Sequence, residues 1–224
     1  MSTPQSEQRL SRGRDFLDQL DLREMTIEHL DDISRLHHKE LSWSFNGQLG
    51  PVHIQKLYKA LLSDPHFFGY VVVRNNRLLG FVTATTNSGE MRKKIRGVYE
   101  RKIVQVALLL LRHPTFLLGV LESLFVVPVA FKRHDTKAEW LTFVTDTEGG
   151  YLTPLVAMKL IDAIRDHFRD RGTHTYLAQG VKQNPKAMRL YSKLGWEVTN
   201  RLFVHNIYLY RSTAPDAATV LKRK

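Results

Sequence analysis

Gln183-Asn184-Pro185-Lys186-Ala187-Met188-Arg189-Leu190-Tyr191-Ser192-Lys193-Leu194-Gly195-Trp196 is the stretch on which the reading of this chain turns. It is a short helix with both ends written into the sequence. Asn184 is a favourable N-cap, because its side-chain oxygen can accept from a backbone N–H that the first helical turn leaves unpaired. Pro185 follows at the first helical position, where a missing donor costs nothing. Gly195 supplies the left-handed residue that stops the helix. Ala187, Leu190, Tyr191 and Leu194 recur at three- and four-residue spacing and so share one face. An amphipathic helix docked by that face accounts for the spacing alone.

Working outward, residues 174–178 read as a strand, and 155–170 as an amphipathic helix that Gly172 ends. Ala157, Leu160, Ile161, Ile164 and Phe168 face inward on that helix. Residues 140–145 form another strand. Residues 68–73 and 78–86 form a hairpin around Asn75-Asn76. Residues 22–25 are a short strand, after which Thr26 caps one helix and Pro51 opens a second, with 42–50 as a loop between them. Downstream, 196–198 and 202–210 make a final hairpin. This order predicts one α/β domain over 21–210, a mixed sheet with helices on both faces. Residues 1–20 read as a polar N-terminal arm and 211–224 as a polar C-terminal tail.

Composition narrows the chemistry. The chain has 224 residues, 43% of them hydrophobic and 25% charged, which suits a single domain with a sizeable core. It contains no cysteine, which excludes disulfides, thiolate metal sites and cysteine nucleophiles. The first 14 residues are polar and lack the apolar core of a secretory signal, so the expected location is cytoplasmic. A net charge of +11 implies attraction to phosphates or anionic surfaces. Without a zinc-finger spacing or an aromatic–glycine RNA-binding signature, nucleic acid is disfavoured as the partner. P-loop, G-x-S-x-G, H-E-x-x-H and dinucleotide fingerprints are absent, and no metal site is indicated.

The composite N-x-x-A-x-x-x-Y-x-x-x-G-[FW], carried here by Asn184, Ala187, Tyr191, Gly195 and Trp196, closely resembles the second acyl-CoA-binding motif of the GNAT-superfamily N-acetyltransferases. The element order over roughly residues 20–210 resembles that family too, which implies a mainly antiparallel central sheet. The resemblance implies acetyl-CoA as acyl donor and an amine as acceptor, with direct attack in a ternary complex. By it, Asn184 and Ala187 line the CoA arm and Tyr191 reaches the thioester sulfur. The central strand is implied to splay from its neighbour and to offer backbone groups at Phe143, Val144 and Thr145 to the pantetheine arm. A loop reading [QR]-x-x-G-x-[GA] cradles the pyrophosphate in the family, since backbone N–H groups at a helix N-terminus bind anions. The corresponding stretch here, Asp146-Thr147-Glu148-Gly149-Gly150-Tyr151-Leu152-Thr153-Pro154-Leu155-Val156-Ala157, has neither the Gln/Arg nor the central glycine in either of two registers. Gly149-Gly150 and the amides near Val156 and Ala157 are the expected remnant of the cradle.

Acyl transfer to an amine also needs proton management. An alkylamine with a pKa near 10.4 costs roughly 4.6 kcal/mol to deprotonate at pH 7, so a positioned base is expected. Glu139, at the start of the central strand, is the first candidate by the resemblance. A solvent-exposed strand-end acid is the alternative reading. His37, His38 and Glu40 are second candidates. Tyr191 is the candidate acid for the departing thiolate, or else a core tyrosine. The acceptor is open between amino sugars, other small amines and protein lysines, and the acyl chain length is open too. A non-catalytic GNAT-shaped module with a degenerate CoA site is the competing reading.

Residues 88–134 are an insertion on this plan. A basic cluster (Arg92, Lys93, Lys94, Arg96, Arg101 and Lys102) precedes the apolar run 103–111, a break at Arg112-His113-Pro114, and a second apolar run over 115–131. A span needs about 20 uninterrupted apolar residues, and an acidic residue such as Glu122 near a helix centre costs on the order of 3 kcal/mol. The expectation is therefore a helical hairpin packed on the domain or on a second subunit. The other open reading is peripheral association of residues 92–131 with an anionic membrane.

Overall fold

The computed structural model describes residues 19–212. Most of the expected N-terminal arm and C-terminal tail lies outside the described residues.

Among the described residues, seven strands form one mixed sheet in the order β1-β2-β3-β4-β5-β7-β6. They are β1 Asp21–Glu24, β2 Phe67–Arg74, β3 Arg77–Thr85, β4 Glu139–Thr145, β5 Thr175–Val181, β6 Glu197–Arg201 and β7 His205–Arg211. Every neighbouring pair is antiparallel except β4–β5. The β2–β3 hairpin closes on Asn75 and Asn76, at φ of 49° and 59°. Two consecutive left-handed residues give the turn a twist that matches the flanking strands, and asparagine tolerates that region.

Alternation along the strands separates two cores. Leu30–Glu40 (α1) and Pro51–Leu62 (α2) cover one face. There Ile33, Leu57 and Tyr58 pack on Val71, Val73, Phe81 and Val144. Thr153–Asp170 (α6) and Pro185–Lys193 (α7) cover the other. There Leu160, Ile164, Phe168 and Tyr191 pack on Val82, Trp140, Tyr176, Ala178 and Tyr208. α7 keeps its written ends: Asn184 Oδ1 accepts from the Ala187 N–H at 3.1 Å, and Gly195 takes φ 76°.

The final hairpin, read as 196–198 and 202–210, lies at Glu197–Arg201 and His205–Arg211, and three larger differences from the sequence reading bear on the site. α6 opens at Thr153, two residues early, because a 3₁₀ turn over Thr147–Leu152 runs straight into it. The loop between α1 and α2 holds a helical turn, Phe45–Gln48, capped by Ser44. The insertion is three helices instead of a hairpin: Ser88–Glu100 (α3), Ile103–Arg112 (α4) and Pro114–Phe131 (α5). Pro114 opens α5, and the residue before a proline is pushed out of helical conformation; His113 has φ −132° and ψ 81°.

α5 also corrects the argument from Glu122. The helix is 18 residues long and apolar enough to cross a membrane by length and composition, with 22% of it buried. The charge is not left to lipid or solvent. Glu122 accepts from the backbone N–H groups of Phe203 (2.6 Å), Val204 (3.0 Å) and His205 (2.7 Å), and lies 2.8 Å from His205 Nδ1. Burial alone would push this carboxyl up, but those donors together hold it below its ordinary range. A π-turn over Glu122–Val126 precedes Pro128, with the Val127 N–H bonded to the Glu122 carbonyl. The wide turn relieves the clash that a proline ring makes with the carbonyl four residues back. Beyond it Val127, Ala130 and Phe131 are buried against Leu177, Ile207 and Leu209, on the face that α1 and α2 also cover.

Candidate active site

The parallel pair β4–β5 is joined only at its start, Glu139 level with Leu177 and Trp140 with Ala178. The reason lies one strand away. β3 sets Thr83 opposite Thr142 but Ala84 opposite Trp140, so Leu141 is an extra residue on β4. Such a bulge bends its strand and raises the local twist, and the second half of β4 turns away from β5. Phe143, Val144 and Thr145 lie on that stretch, unpaired on the β5 side.

Two ionisable side chains approach this fork from opposite faces of the sheet. Glu139 is 2% exposed, so the reading of a solvent-exposed acid is overturned. Its Oε2 is 3.1 Å from Arg92 Nη2, and its Oε1 accepts from Gln179 Nε2 at 2.8 Å. Burial pushes the carboxyl up, against the opposing pull of Arg92 and Gln179. The Arg92 guanidinium also lies over the Phe131 ring, 4.6 Å from its centroid. α3 and the end of α5 are thereby tied to the root of the fork.

Tyr191 arrives from α7 on the far face. Its ring is 4.6 Å from that of Tyr208 and 5.0 Å from that of Trp196. Gly180 on β5 makes this approach possible: a Cβ there would lie 2.7 Å from the Tyr208 ring and 3.4 Å from the Tyr191 ring. Burial first, then Tyr208 and Glu139, push the phenol above its ordinary pKa. That Glu139 acts on Tyr191 places both groups in one electrostatic neighbourhood.

The other sequence candidates serve local structure. Asn184 Oδ1 is occupied as the α7 cap, and Ala187 is half-buried beside the core. Val156 packs its side chain under Gly80. With α6 starting at Thr153, the amides of Val156 and Ala157 fall inside the helical ladder. His37 is buried with Nδ1 3.0 Å from the Tyr58 hydroxyl, and burial lowers its pKa to about 4. His38 Nδ1 is 2.9 Å from the Gly47 carbonyl.

The loop expected to cradle pyrophosphate is closed on itself. Glu40 accepts from the N–H of Thr147, Asp146 Oδ1 from that of Glu148, and the Asp146 carbonyl from that of Gly149. The Gly149 N–H of the expected nest is thus already partnered. Lys39 bridges Asp146 at 2.9 Å and Glu148 at 2.8 Å, while Arg77 bonds both carboxylates from β3.

Sequence reasoning missed Arg92, Gln179, Gly180 and Tyr208. Gly180 carried a usable signal, because a glycine inside a strand marks close approach of a neighbour. Nothing in the basic cluster distinguishes Arg92 as the member that turns inward.

No protein-family model matches the chain, and no curated protein sequence does. Solved structures do match. The PaiA N-acetyltransferase of Thermoplasma acidophilum, in complex with coenzyme A, superposes at a TM-score of 0.53 and 12% identity, over 86% of this chain and 98% of that one. A protein described as a GNAT-family acetyltransferase from Desulfovibrio desulfuricans gives 0.56 and 10%, over 86% and 98%. The ribosomal-protein-S18-alanine N-acetyltransferase of Escherichia coli gives 0.53 and 9%, over 88% and 97%. With most of this chain and nearly all of each of those chains superposed, the chain has the fold of the GNAT N-acetyltransferases.

Proposed function

We propose that this chain is an acyl-CoA-dependent N-acyltransferase that moves an acetyl or other acyl group onto an amine within a ternary complex. The observation that carries the reading is the fork of β4 and β5, with Tyr191 on one side of it and Glu139 on the other. An extended pantetheine arm suits the open edge of β4 at Phe143, Val144 and Thr145, as an added strand suits a sheet edge. Coenzyme A in the Thermoplasma structure supports that choice of donor.

In this reading the amine nitrogen attacks the thioester carbon, a C–N bond forms and the C–S bond breaks. The ammonium proton passes to Glu139, directly or through one water. Burial makes that carboxylate a stronger base than an exposed one. Tyr191 meets the departing sulfur. An ordinary phenol near pKa 10 is already weaker than a thiol near 8.5, and burial weakens it further. Its contribution is therefore a hydrogen bond to the charge growing on sulfur, with the proton following. Phe45 of the α1–α2 turn touches Tyr99 and Phe116 of the insertion at 5.7 and 5.9 Å. In this reading the acceptor enters on the Glu139 side, where the insertion packs on that turn, and the crowding there favours an amino sugar or other small amine over a folded protein substrate.

The closed pyrophosphate loop favours a second reading, a module of this fold without catalysis. Calorimetry with acetyl-CoA separates the two, since a module whose loop stays shut takes up no ligand. For the catalytic reading, Tyr191→Phe is expected to lower kcat by about 100-fold with an unchanged melting temperature. Thiol release from acetyl-CoA with a panel of amines measures this. Unaltered turnover removes the acid role, and absence of acetyl-CoA binding removes the enzyme.

A further inference from the structure

The apolar surface of the insertion has no use in the reaction above. α4, of sequence IVQVALLLLR, has no buried residue, and neither has α5 before Glu122. Ile103, Val104 and Leu108 of α4 are exposed, and Leu111 is 80% exposed. On α5, Leu117, Leu121 and Leu124 follow, with Phe125 at 67%. Phe203, whose N–H bonds Glu122, adds a 77% exposed ring beside the middle of α5. A continuous apolar surface of this kind marks an interaction site.

Its rim is predominantly basic, with Glu100 and Asp135 as exposed acids at its two ends. Arg96, Arg101 and Lys102 precede α4, Arg112 stands at the turn, and Lys132 and Arg133 follow α5; all but the half-exposed Lys102 are exposed. Between Arg101 and Arg133 the single acidic residue is Glu122, which the β6–β7 turn and His205 already engage. A second copy of this face, meeting it across a two-fold axis, would set like charges against each other. The aliphatic side chains offer a protein partner no hydrogen-bonding group, whereas a bilayer requires none.

We propose that the α4–α5 face docks on an anionic lipid surface, its leucines and phenylalanines at the acyl boundary and its basic rim among the headgroups. The proposal stands apart from the acyl-transfer reading. Arg92 and Phe131 connect the docked element to Glu139, so docking would bring the Glu139 side of the fork towards the membrane.

The test is co-sedimentation of the full chain with phosphatidylcholine vesicles, with and without phosphatidylglycerol, at low and high salt. Binding is expected only with the anionic lipid, and weaker at high salt. Arg101→Gln combined with Arg112→Gln is expected to reduce affinity roughly 30-fold at low salt. Leu108→Ser combined with Phe125→Ser should abolish it while circular dichroism stays unchanged. Absence from both pellets, or equal binding by all variants, overturns the proposal. So does a dimer in sedimentation velocity that the Leu108/Phe125 variant dissociates, since the face is then a self-interface. Acetyl-CoA turnover without lipid is read separately, so an active enzyme that ignores vesicles retires docking alone.

Discussion

Gly180 determines how close two tyrosines come to the fork. Gly180→Ala drives a methyl into the Tyr208 ring, and overpacking of this kind costs about 1–3 kcal/mol. The expected outcome is a lower melting temperature together with a turnover defect like that of Tyr191→Phe, because the Tyr208–Tyr191 pair shifts as a unit. His53 makes a different statement. It is fully buried, stacked on Tyr99 at 5.2 Å, and neither ring nitrogen has a partner among the described residues. Burial first, then Lys102 and Lys56, lower its pKa to about 4. A histidine kept neutral in the fold contributes fully above its unfolded pKa near 6.5 and costs stability as pH falls from there towards 4. The loss reaches on the order of 3 kcal/mol. His53→Phe keeps the stacking, and chemical denaturation at pH 7 and pH 4.5 should show a smaller acid penalty for the variant. At this scale the local signals of α7 were legible, since Asn184, Pro185 and Gly195 act on their own backbone. The Glu139–Arg92 pair was not, because it joins residues 47 positions apart across an insertion.

The element with most consequence is α5. Its composition suggested either a packed hairpin or a membrane-facing helix, and Glu122 argued against lipid. A sequence cannot show that the turn before β7 delivers three N–H groups to that carboxylate. Nor does it reveal that Pro128 is absorbed by a π-turn that sets Val127, Ala130 and Phe131 against the sheet. Glu122→Ala strands those donors and is expected to cost about 3 kcal/mol, read as a shift in urea midpoint at constant slope. The carboxyl is held below its ordinary range. Its contribution is therefore complete above pH about 4.3 and disappears as pH falls through the depressed value. The gap in stability between variant and parent should narrow at strongly acid pH, leaving the part due to the stranded N–H groups. α1, α2, α6 and α7 were legible because each carries a 3.6-residue stripe of its own.

Across the whole molecule, the strand–helix order fixed a mixed sheet, while the bulge at Leu141 that forks it left no mark in the sequence. The loop before α6 shows the same division. Its departure from the family pattern was visible, but its self-closure by Asp146, Glu148, Lys39, Arg77 and Glu40 depends on α1 and β3 arriving from elsewhere. Two carboxylates beside a diphosphate oppose it. Glu148→Gln is accordingly expected to tighten acetyl-CoA binding a few-fold while leaving acetyl-pantetheine unaffected, both measured by calorimetry. Equal effects on the two ligands would place the diphosphate elsewhere.

A seven-stranded sheet sewn across its middle by two residue pairs behaves, mechanically, as two leaves on a short hinge. Ring contacts among Trp140, Tyr176 and Trp196, and Phe168 of α6 set between Phe68 and Tyr176, fasten the leaves further. Tension applied between Asp21 on one margin and Glu197 on the other concentrates on those rungs. Under load the fork is expected to part before either leaf frays, which force spectroscopy with handles at those two margins would read as an early rupture.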